Sequence, residues 1–227
     1  MRLVSGSFSG SSFGSTFSLI SGLALFFVAG QASAADYKID PSHSKVGFTV
    51  RHLMISKVHG DFKDFEGGFN FDAEKGVLKS ANFVAKAASI ETGDAKRDDH
   101  LRGPDFFDVK KFPTLTLTNN KITKTGKDTY KWDTDLTMHG VTKPVVFNLE
   151  MLGLTKDPWG MKRAGFTASS KINRKDFGLN WNKALEAGGV VVGEEVEIQL
   201  DAEAIEASAS PAAGAPATSA ATPAKKK

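Results

Sequence analysis

Charged side chains stand directly beside a pair of phenylalanines in residues 89–116. Arg97 and His100 are three residues apart on a predicted short helix, so they share one of its faces; Phe106 and Phe107 follow. An arginine can fork onto a phosphate or donate to a carbonyl, and a neutral histidine can donate to or accept from a quinone or amide oxygen. Charged and aromatic side chains together indicate the rim of an apolar pocket, where the hydrocarbon part of a ligand meets its polar head group.

The same residues also have structural interpretations. Arg97 could pair with Asp94 or Asp98 and only fix the loop. Phe106 and Phe107 could wall a pocket mouth, or they could form a hydrophobic plug that anchors the loop to the domain. The sequence leaves both alternatives open.

Arg51 is a further candidate for contact with a ligand head. Arg51 and His52 end a predicted strand, and because adjacent strand residues point to opposite faces, only one of them can look inward. His139-Gly140 interrupts another strand pattern, and this pair is interpreted as turn chemistry because glycine supplies unusual backbone angles.

Metal, thiol and nucleophilic chemistry have weak signals. The chain contains no cysteine, which excludes a disulfide framework and thiolate metal sites. Residues 36–207 contain no Gly-x-Ser-x-Gly elbow and no Gly-rich nucleotide loop. The five histidines are scattered and lack a helical zinc spacing: His43, His52, His59, His100 and His139. His43 and His59 could still meet across neighbouring strands. We therefore predict no metal, no cofactor and no catalytic residue.

The two ends of the chain are predicted to lie outside the folded domain. Residues 1–35 contain one charged residue, Arg2, which is followed by an apolar run at 17–29 and by the small-x-small pattern Ala32-Ser33-Ala34. This order is typical of a cleaved export signal. Residues 208–227 are rich in Ala, Pro, Ser and Thr and end in three lysines. Such a segment cannot bury enough apolar surface to order itself, so we predict a disordered tail.

Residues 36–207 are one domain's worth of chain. Of the 29 lysines and arginines, one lies in the predicted signal and three at the C-terminus, which leaves 25 basic residues against 26 acidic ones. The domain is therefore close to neutral, and its charge gives no support for nucleic-acid binding.

Period-two alternation dominates this domain and predicts seven to nine antiparallel strands, in a barrel or a sandwich. Residues 77–90 are predicted to be one long strand, and short helices are predicted at 94–102 and 174–177. A barrel of about eight strands can be filled by side chains or can hold one small ligand. Large rings alternate with small residues on the inward faces, which makes Phe48, Phe166 and Ala168 candidate wall residues; a packed core is the alternative.

Four segments of the domain together resemble the YceI-like family of exported lipocalin-like proteins. They are the segments 37–72 (beginning YKIDPSHSKVGFTVRHL), 88–114 (ASIETGDAKRDDHLRGPDFFDVKKFPT), 135–145 (DLTMHGVTKPV) and 165–181 (GFTASSKINRKDFGLNW). The resemblance implies an elongated eight-stranded antiparallel barrel with an apolar tunnel. It also implies a long-chain amphiphile as ligand, such as a polyprenyl phosphate, a quinone or another lipid or amide.

The expected function is therefore that of a periplasmic carrier, storage or buffering protein for a long-chain lipid. Two alternatives stay open: an enzyme that acts on such a lipid with His100 as general base, and a packed-barrel scaffold or stress protein. Transient membrane contact is a further expectation, and the outer face of a barrel could support a homodimer.

Overall fold

A computed structural model describes residues 34–186 and 188–207 of the chain. The predicted signal lies almost wholly, and the predicted tail wholly, outside these residues. The described part is built mainly from β-strands: β1 Ala35–Ile39, β2 Lys45–His52, β3 Ser56–Phe62, β4 Phe65–Asp72, β5 Val77–Lys86, β6 Ile90–Glu91, β7 Thr114–Lys124, β8 Thr129–Met138, β9 Val141–Lys156, β10 Lys162–Asn173 and β11 Val192–Glu206.

Eight of these strands close into an antiparallel barrel. The order is β1-β4-β5-β7-β8-β9-β10-β11, and β1 pairs with both β4 and β11, which closes the ring. Each of the eight strands therefore has two neighbours, although β5 and β7 pair only over residues 83–86 and 114–117. The predicted eight-stranded lipocalin-like barrel is therefore confirmed, and the sandwich alternative is excluded.

The three remaining strands extend the sheet at one end of the barrel. Residues 196–201 of β11 pair with β2, whereas residues 204–206 pair with β1. The strand β3 pairs with β2, and the short β6 pairs with β3. Lys63 and Asp64 separate β3 from β4, and the inward parity changes there from Phe62 to Phe65 and Phe69.

The single strand predicted over 77–90 is wrong. It is interrupted by a 3-10 helix, Ala87–Ser89, between β5 and β6. The backbone N–H of Ala87 donates to the Pro113 carbonyl, and the hydroxyl of Ser89 donates to the Lys86 carbonyl at 2.7 Å. These two hydrogen bonds replace the ladder at the 3-10 helix, and period-two patterning does not reveal them.

Both predicted short helices are present. The helix α1, Ala95–Arg102, begins after Asp94, whose carboxylate accepts from the backbone N–H of Arg97 at 3.0 Å. This is the usual N-cap geometry. The second is a 3-10 helix, Arg174–Phe177, that follows β10. No helix in the described residues is long and apolar enough to cross a membrane.

The interior of the barrel is tightly packed in one part. Tyr37 stacks on Phe69 with ring centroids 5.0 Å apart, and Phe69 meets Phe166 edge-on at 5.2 Å. Ala164, Ala168 and neighbouring alanines are buried beside these rings. Small residues here make room for aromatic side chains of the protein itself.

The His139-Gly140 pair forms the turn of the β8–β9 hairpin. Both residues have positive φ angles, 52° and 75°. A Cβ atom on Gly140 would lie 2.5 Å from the ring of Phe112, so both the backbone and the packing require glycine. The turn interpretation is consistent with this geometry.

Candidate ligand-binding cavity

The other part of the barrel interior contains a cavity of about 130 Å³. Its wall is made by inward side chains of β2, β3, β5 and β7–β11 together with the segment around α1. Nearly all of these side chains are apolar. They are Val46, Phe48, Val50, Phe62, Phe83, Ala85, Leu101, Phe106, Phe107, Leu115, Leu117, Leu136, Met138, Phe147, Ile172, Leu179, Val192, Val196, Ile198 and Leu200, with Gly47, Thr116 and Arg174 completing the set.

Phe106 and Phe107 cover the cavity from the loop after α1. Both side chains are buried, and Phe107 meets Phe62 of β3 edge-on at 5.7 Å. Phe62 in turn lies 6.0 Å from Phe48 of β2. The two interpretations of the phenylalanine pair are thus compatible, because the side chains that anchor the loop to the barrel also wall the cavity.

A cluster of rings lies between Phe106 and solvent. His100 packs edge-on against Phe106 at 5.1 Å and against Trp181 at 5.0 Å. The Nε2 atom of His100 lies 2.9 Å from the Asp105 carboxylate, and the imidazole is exposed. His100 is therefore part of the outer layer of the rim and does not line the cavity itself.

Arg97 is used to hold the rim loop together. Its Nε donates to the Thr92 hydroxyl at 2.6 Å, and its second terminal nitrogen donates to the Thr92 carbonyl at 2.8 Å. The backbone N–H of Thr92 donates to the buried carboxylate of Asp98 at 2.9 Å. Sequence reasoning offered Asp94 or Asp98 as side-chain partners of Arg97, and the structure gives Thr92 instead.

The structure brings three of the eight candidate ligand residues to the cavity wall: Phe48, Phe106 and Phe107. Arg51 is exposed on β2, while Arg97 and His100 belong to the outer rim. Phe166 and Ala168 are buried in the packed part of the interior, where protein side chains already fill the space. Ligand contact by any of the eight stays a prediction.

Arg174 is the one charged residue in the cavity wall, and sequence reasoning missed it. Its side chain is only 3% exposed. Its Nε donates to the Gly193 carbonyl at 2.8 Å, and its terminal nitrogens donate to the carbonyls of Leu179 and Val192. Burial lowers the pKa of the guanidinium from its ordinary value, but an arginine stays protonated in a protein.

The signal for Arg174 was present in the strand pattern. Phe166, Ala168 and Ile172 are inward residues of β10, and Arg174 continues the same parity just after the strand ends. Sequence reasoning assigned that position to a short helix and did not extend the inward face to it. Trp181 and Asp105 had no comparable signal, because their place beside His100 depends on how two loops fold over the barrel.

The histidines do not assemble into a metal centre in the described residues. The side chain of Thr49 lies 2.9 Å from His59, while His43 lies 2.9 Å from Asp40, so these two histidines have different partners. Asp40, His43 and Glu203 do lie together. The guanidinium of Arg163, however, donates to both carboxylates, at 3.0 and 2.6 Å, and already supplies the cation there.

Comparison with known proteins identifies relatives by sequence and by fold. A UPF0312 protein of Photorhabdus laumondii is 46% identical over 156 residues, which is 68% of this chain and 81% of that protein. The YceI protein of Campylobacter jejuni is 32% identical with a TM-score of 0.61, covering 69% of this chain and 90% of its own.

A more distant structure shares the fold alone. A polyisoprenoid binding domain from Saccharophagus degradans is 18% identical with a TM-score of 0.58, covering 75% of this chain and 98% of its own. The family model described as the YceI-like domain matches residues 37–204, most of the described barrel. From this match and the close relatives, we conclude that the chain belongs to the YceI-like family.

Proposed function

We propose that this protein is an exported binding protein that holds a long-chain isoprenoid or a related amphiphilic lipid for transport, storage or buffering. The observation that carries the proposal is the cavity, whose wall is apolar except for Arg174 and Thr116. Such a wall suits a hydrocarbon chain, because each buried methylene contributes about 0.8 kcal/mol. The polyisoprenoid binding domain with the same fold adds support, and the predicted signal supports export.

The rim is expected to move when a long chain binds. The cavity volume is about 130 Å³, whereas sites for drug-sized ligands have volumes of about 300–1,000 Å³. A long chain therefore needs more room than this conformation offers. The loop that carries Phe106 and Phe107 belongs to no strand, so its displacement leaves the barrel ladder intact.

A binding role accounts for the rim better than catalysis does. His100 has an orienting carboxylate in Asp105, which sequence reasoning did not foresee. Within the described residues, however, no hydroxyl group is hydrogen-bonded to His100, so an activated nucleophile is missing. The imidazole also lies outside the cavity wall.

The test of the proposal is native mass spectrometry of the full chain purified gently from its own periplasm, followed by denaturation to release any bound molecule. We expect a stoichiometric adduct that contains a long hydrocarbon chain. A bare protein mass, together with no binding of added geranylgeraniol, would favour the packed scaffold. Turnover of a bound lipid that is lost in His100→Ala would favour the enzyme.

Chain length should control affinity if the cavity holds the hydrocarbon. We expect geraniol, farnesol and geranylgeraniol to bind with rising affinity, by about fourfold for each additional buried methylene. Val196→Phe fills the cavity and should weaken the longest alcohol most. Val146→Phe is the matched control, because Val146 is an exposed valine on β9. Equal losses for all three alcohols in Val196→Phe would contradict a cavity that measures chain length.

A further inference from the structure

We infer that the tip of the β9–β10 hairpin, residues 152–162, is a docking surface for an anionic phospholipid bilayer. Four large apolar side chains of this tip are exposed to solvent: Leu152, Leu154, Trp159 and Met161. Trp159 is 80% exposed and Leu152 is 66% exposed. Single exposed apolar side chains are common on soluble proteins, whereas a group of them on one element marks an interaction surface.

The hairpin tip projects beyond the neighbouring strand of the barrel. The pairing of β8 with β9 ends where Thr129 lies opposite Glu150. The pairing of β10 with β9 continues as far as Lys162 opposite Lys156. Within the described residues, 152–156 therefore have a partner strand on one side only, and their side chains can reach a surface that the rest of the barrel does not touch.

The turn holds Trp159 in its exposed position. One oxygen of the Asp157 carboxylate accepts from the backbone N–H groups of Trp159 and Met161, at 3.0 and 2.8 Å. The other oxygen accepts from Arg163 at 2.9 Å, and Gly160 completes the turn with a φ angle of 91°. A preorganised turn loses little conformational freedom when its side chains enter another phase.

The exposed charges of the tip are basic. Asp157 is the one acidic residue in 152–162, and its buried carboxylate pairs with Arg163. Lys156 and Lys162 are exposed, and Lys162 also contacts Glu206. Tryptophan suits the boundary between head groups and acyl chains because its ring is amphipathic. Lysine can lay its stem along the apolar layer and extend its ammonium to an anionic head group.

A second copy of the chain fits this surface less well. A stable interface takes about 20–30 residues from each partner, whereas the tip has eleven. Strand pairing along the open side of β9 is opposed by the register shift at Gly165 and by Gly153, whose φ angle is 150°, because bulges protect the edges of sheets. A bilayer requires no matching strand.

This inference goes beyond the proposed function, because it concerns the outer surface and not the cavity. Met138 and Ile172 line the cavity near the ends of β8 and β10 that lie away from the hairpin tip. Docking through the tip therefore leaves the rim loop at the opposite end of the barrel. The cavity-filling variant Val196→Phe should dock like the wild type.

The test is tryptophan fluorescence of the full chain with vesicles of dioleoylphosphatidylglycerol whose acyl chains are brominated, since bromine quenches only a tryptophan that reaches the acyl layer. Trp132 is buried, and Trp181 lies beside His100 near the cavity. We expect quenching in the wild type. Trp159→Ala should remove this quenching and weaken vesicle binding about tenfold, because an apolar side chain no longer leaves water.

Two further variants separate charge from apolar contact. Lys156→Gln should weaken binding to the phosphatidylglycerol vesicles about fivefold and leave binding to dioleoylphosphatidylcholine vesicles unchanged. Ile55→Asn is the matched control, because it replaces an equally exposed apolar side chain at another hairpin turn, and it should dock like the wild type.

The other results overturn the inference. Quenching that persists in Trp159→Ala, or an equal loss of binding in Ile55→Asn, would show that another part of the chain meets the bilayer. A wild-type dimer that dissociates in Trp159→Ala, without quenching on vesicles, would make the tip an interface between copies. Absent quenching in a protein that binds geranylgeraniol removes the docking surface alone, whereas quenching in a protein that binds no geranylgeraniol removes only the proposed function.

Discussion

At the scale of single residues, Gly60 is what allows Phe48 to lie across the cavity wall. The two residues are paired on neighbouring strands, and a Cβ on Gly60 would come within 2.3 Å of the Phe48 ring and 2.8 Å of Thr92. The methyl group of an alanine therefore has no space unless the ring moves.

We expect Gly60→Ala to lower the free energy of unfolding by about 1–3 kcal/mol, the usual cost of overpacking a filled interior, and to change lipid affinity through Phe48. Chemical denaturation and a lipid titration measure the two effects. Gly165→Ala is the control, because a Cβ there would meet only Leu152 at an ordinary 3.7 Å. An unaltered stability in Gly60→Ala would show that Phe48 is free to move.

At the scale of elements, the β2–β3 hairpin turns through two bulky residues in unfavourable backbone conformations. Leu53 and Met54 have φ angles of 52° and 62°, a region in which side chains with a Cβ are strained. Met54 and Ile55 are also exposed at this tip, Ile55 by 84%. The backbone conformation therefore disfavours Leu53 and Met54, and the apolar side chains of Met54 and Ile55 gain little from burial.

We expect the double change Leu53→Asn and Met54→Gly to raise the free energy of unfolding by about 1 kcal/mol or more, because each strained residue costs about 1–3 kcal/mol and Asn-Gly suits such turns. Urea denaturation measures the gain. Ile55→Asn, which alters the exposed tip without relieving φ, should give no such gain. A loss of stability in the double variant would mean that Leu53 packs in a way that outweighs its strain.

At the scale of the whole molecule, an ion-pair network holds the seam where the barrel closes. Arg163 on β10 binds Asp40 after β1, Asp157 in the β9–β10 turn and Glu203 on β11. Hydrogen bonds from Ser42 and His43, and then from Arg163, hold the pKa of the Asp40 carboxyl well below its usual range. The ionised form is therefore favoured by folding.

A carboxyl whose pKa is lower in the folded state stabilises the protein at every pH above its unfolded-state pKa, which is near 4 for aspartate. This stabilisation is lost as the pH falls toward the folded-state pKa. We expect Asp40→Asn to be less stable than the wild type at pH 7, with a difference that shrinks as pH falls below about 4. Thermal unfolding of both proteins at pH 7 and at a pH below about 4 measures this difference in stability. Asp128→Asn, at an exposed turn, is the control. A constant difference would show that the Asp40 carboxylate does not contribute through its charge.

The sequence by itself determined most of the strands, because a half-buried strand repeats every two residues, but it did not show the break at Ala87–Ser89. It also indicated both short helices, and Asp94 caps the first of them. The motifs of the YceI-like family supplied the closed eight-stranded barrel, since strand periodicity alone also allowed a sandwich. The segment that includes Phe106 and Phe107 was predicted to form the rim of a ligand pocket; both side chains line the cavity, and their contact with a ligand stays a prediction.

Only the tertiary structure decided which of these side chains meet. Closure of the ring packs Phe166 and Ala168 among aromatic side chains, and it brings Arg174 to the cavity wall against carbonyls up to 19 positions away. Arg97 was available to a ligand by type, but its loop folds back so that Thr92 takes its donors. Sequence periodicity reports which face a residue is on, whereas a binding site depends on contacts between distant segments, and those follow only from how the whole barrel packs.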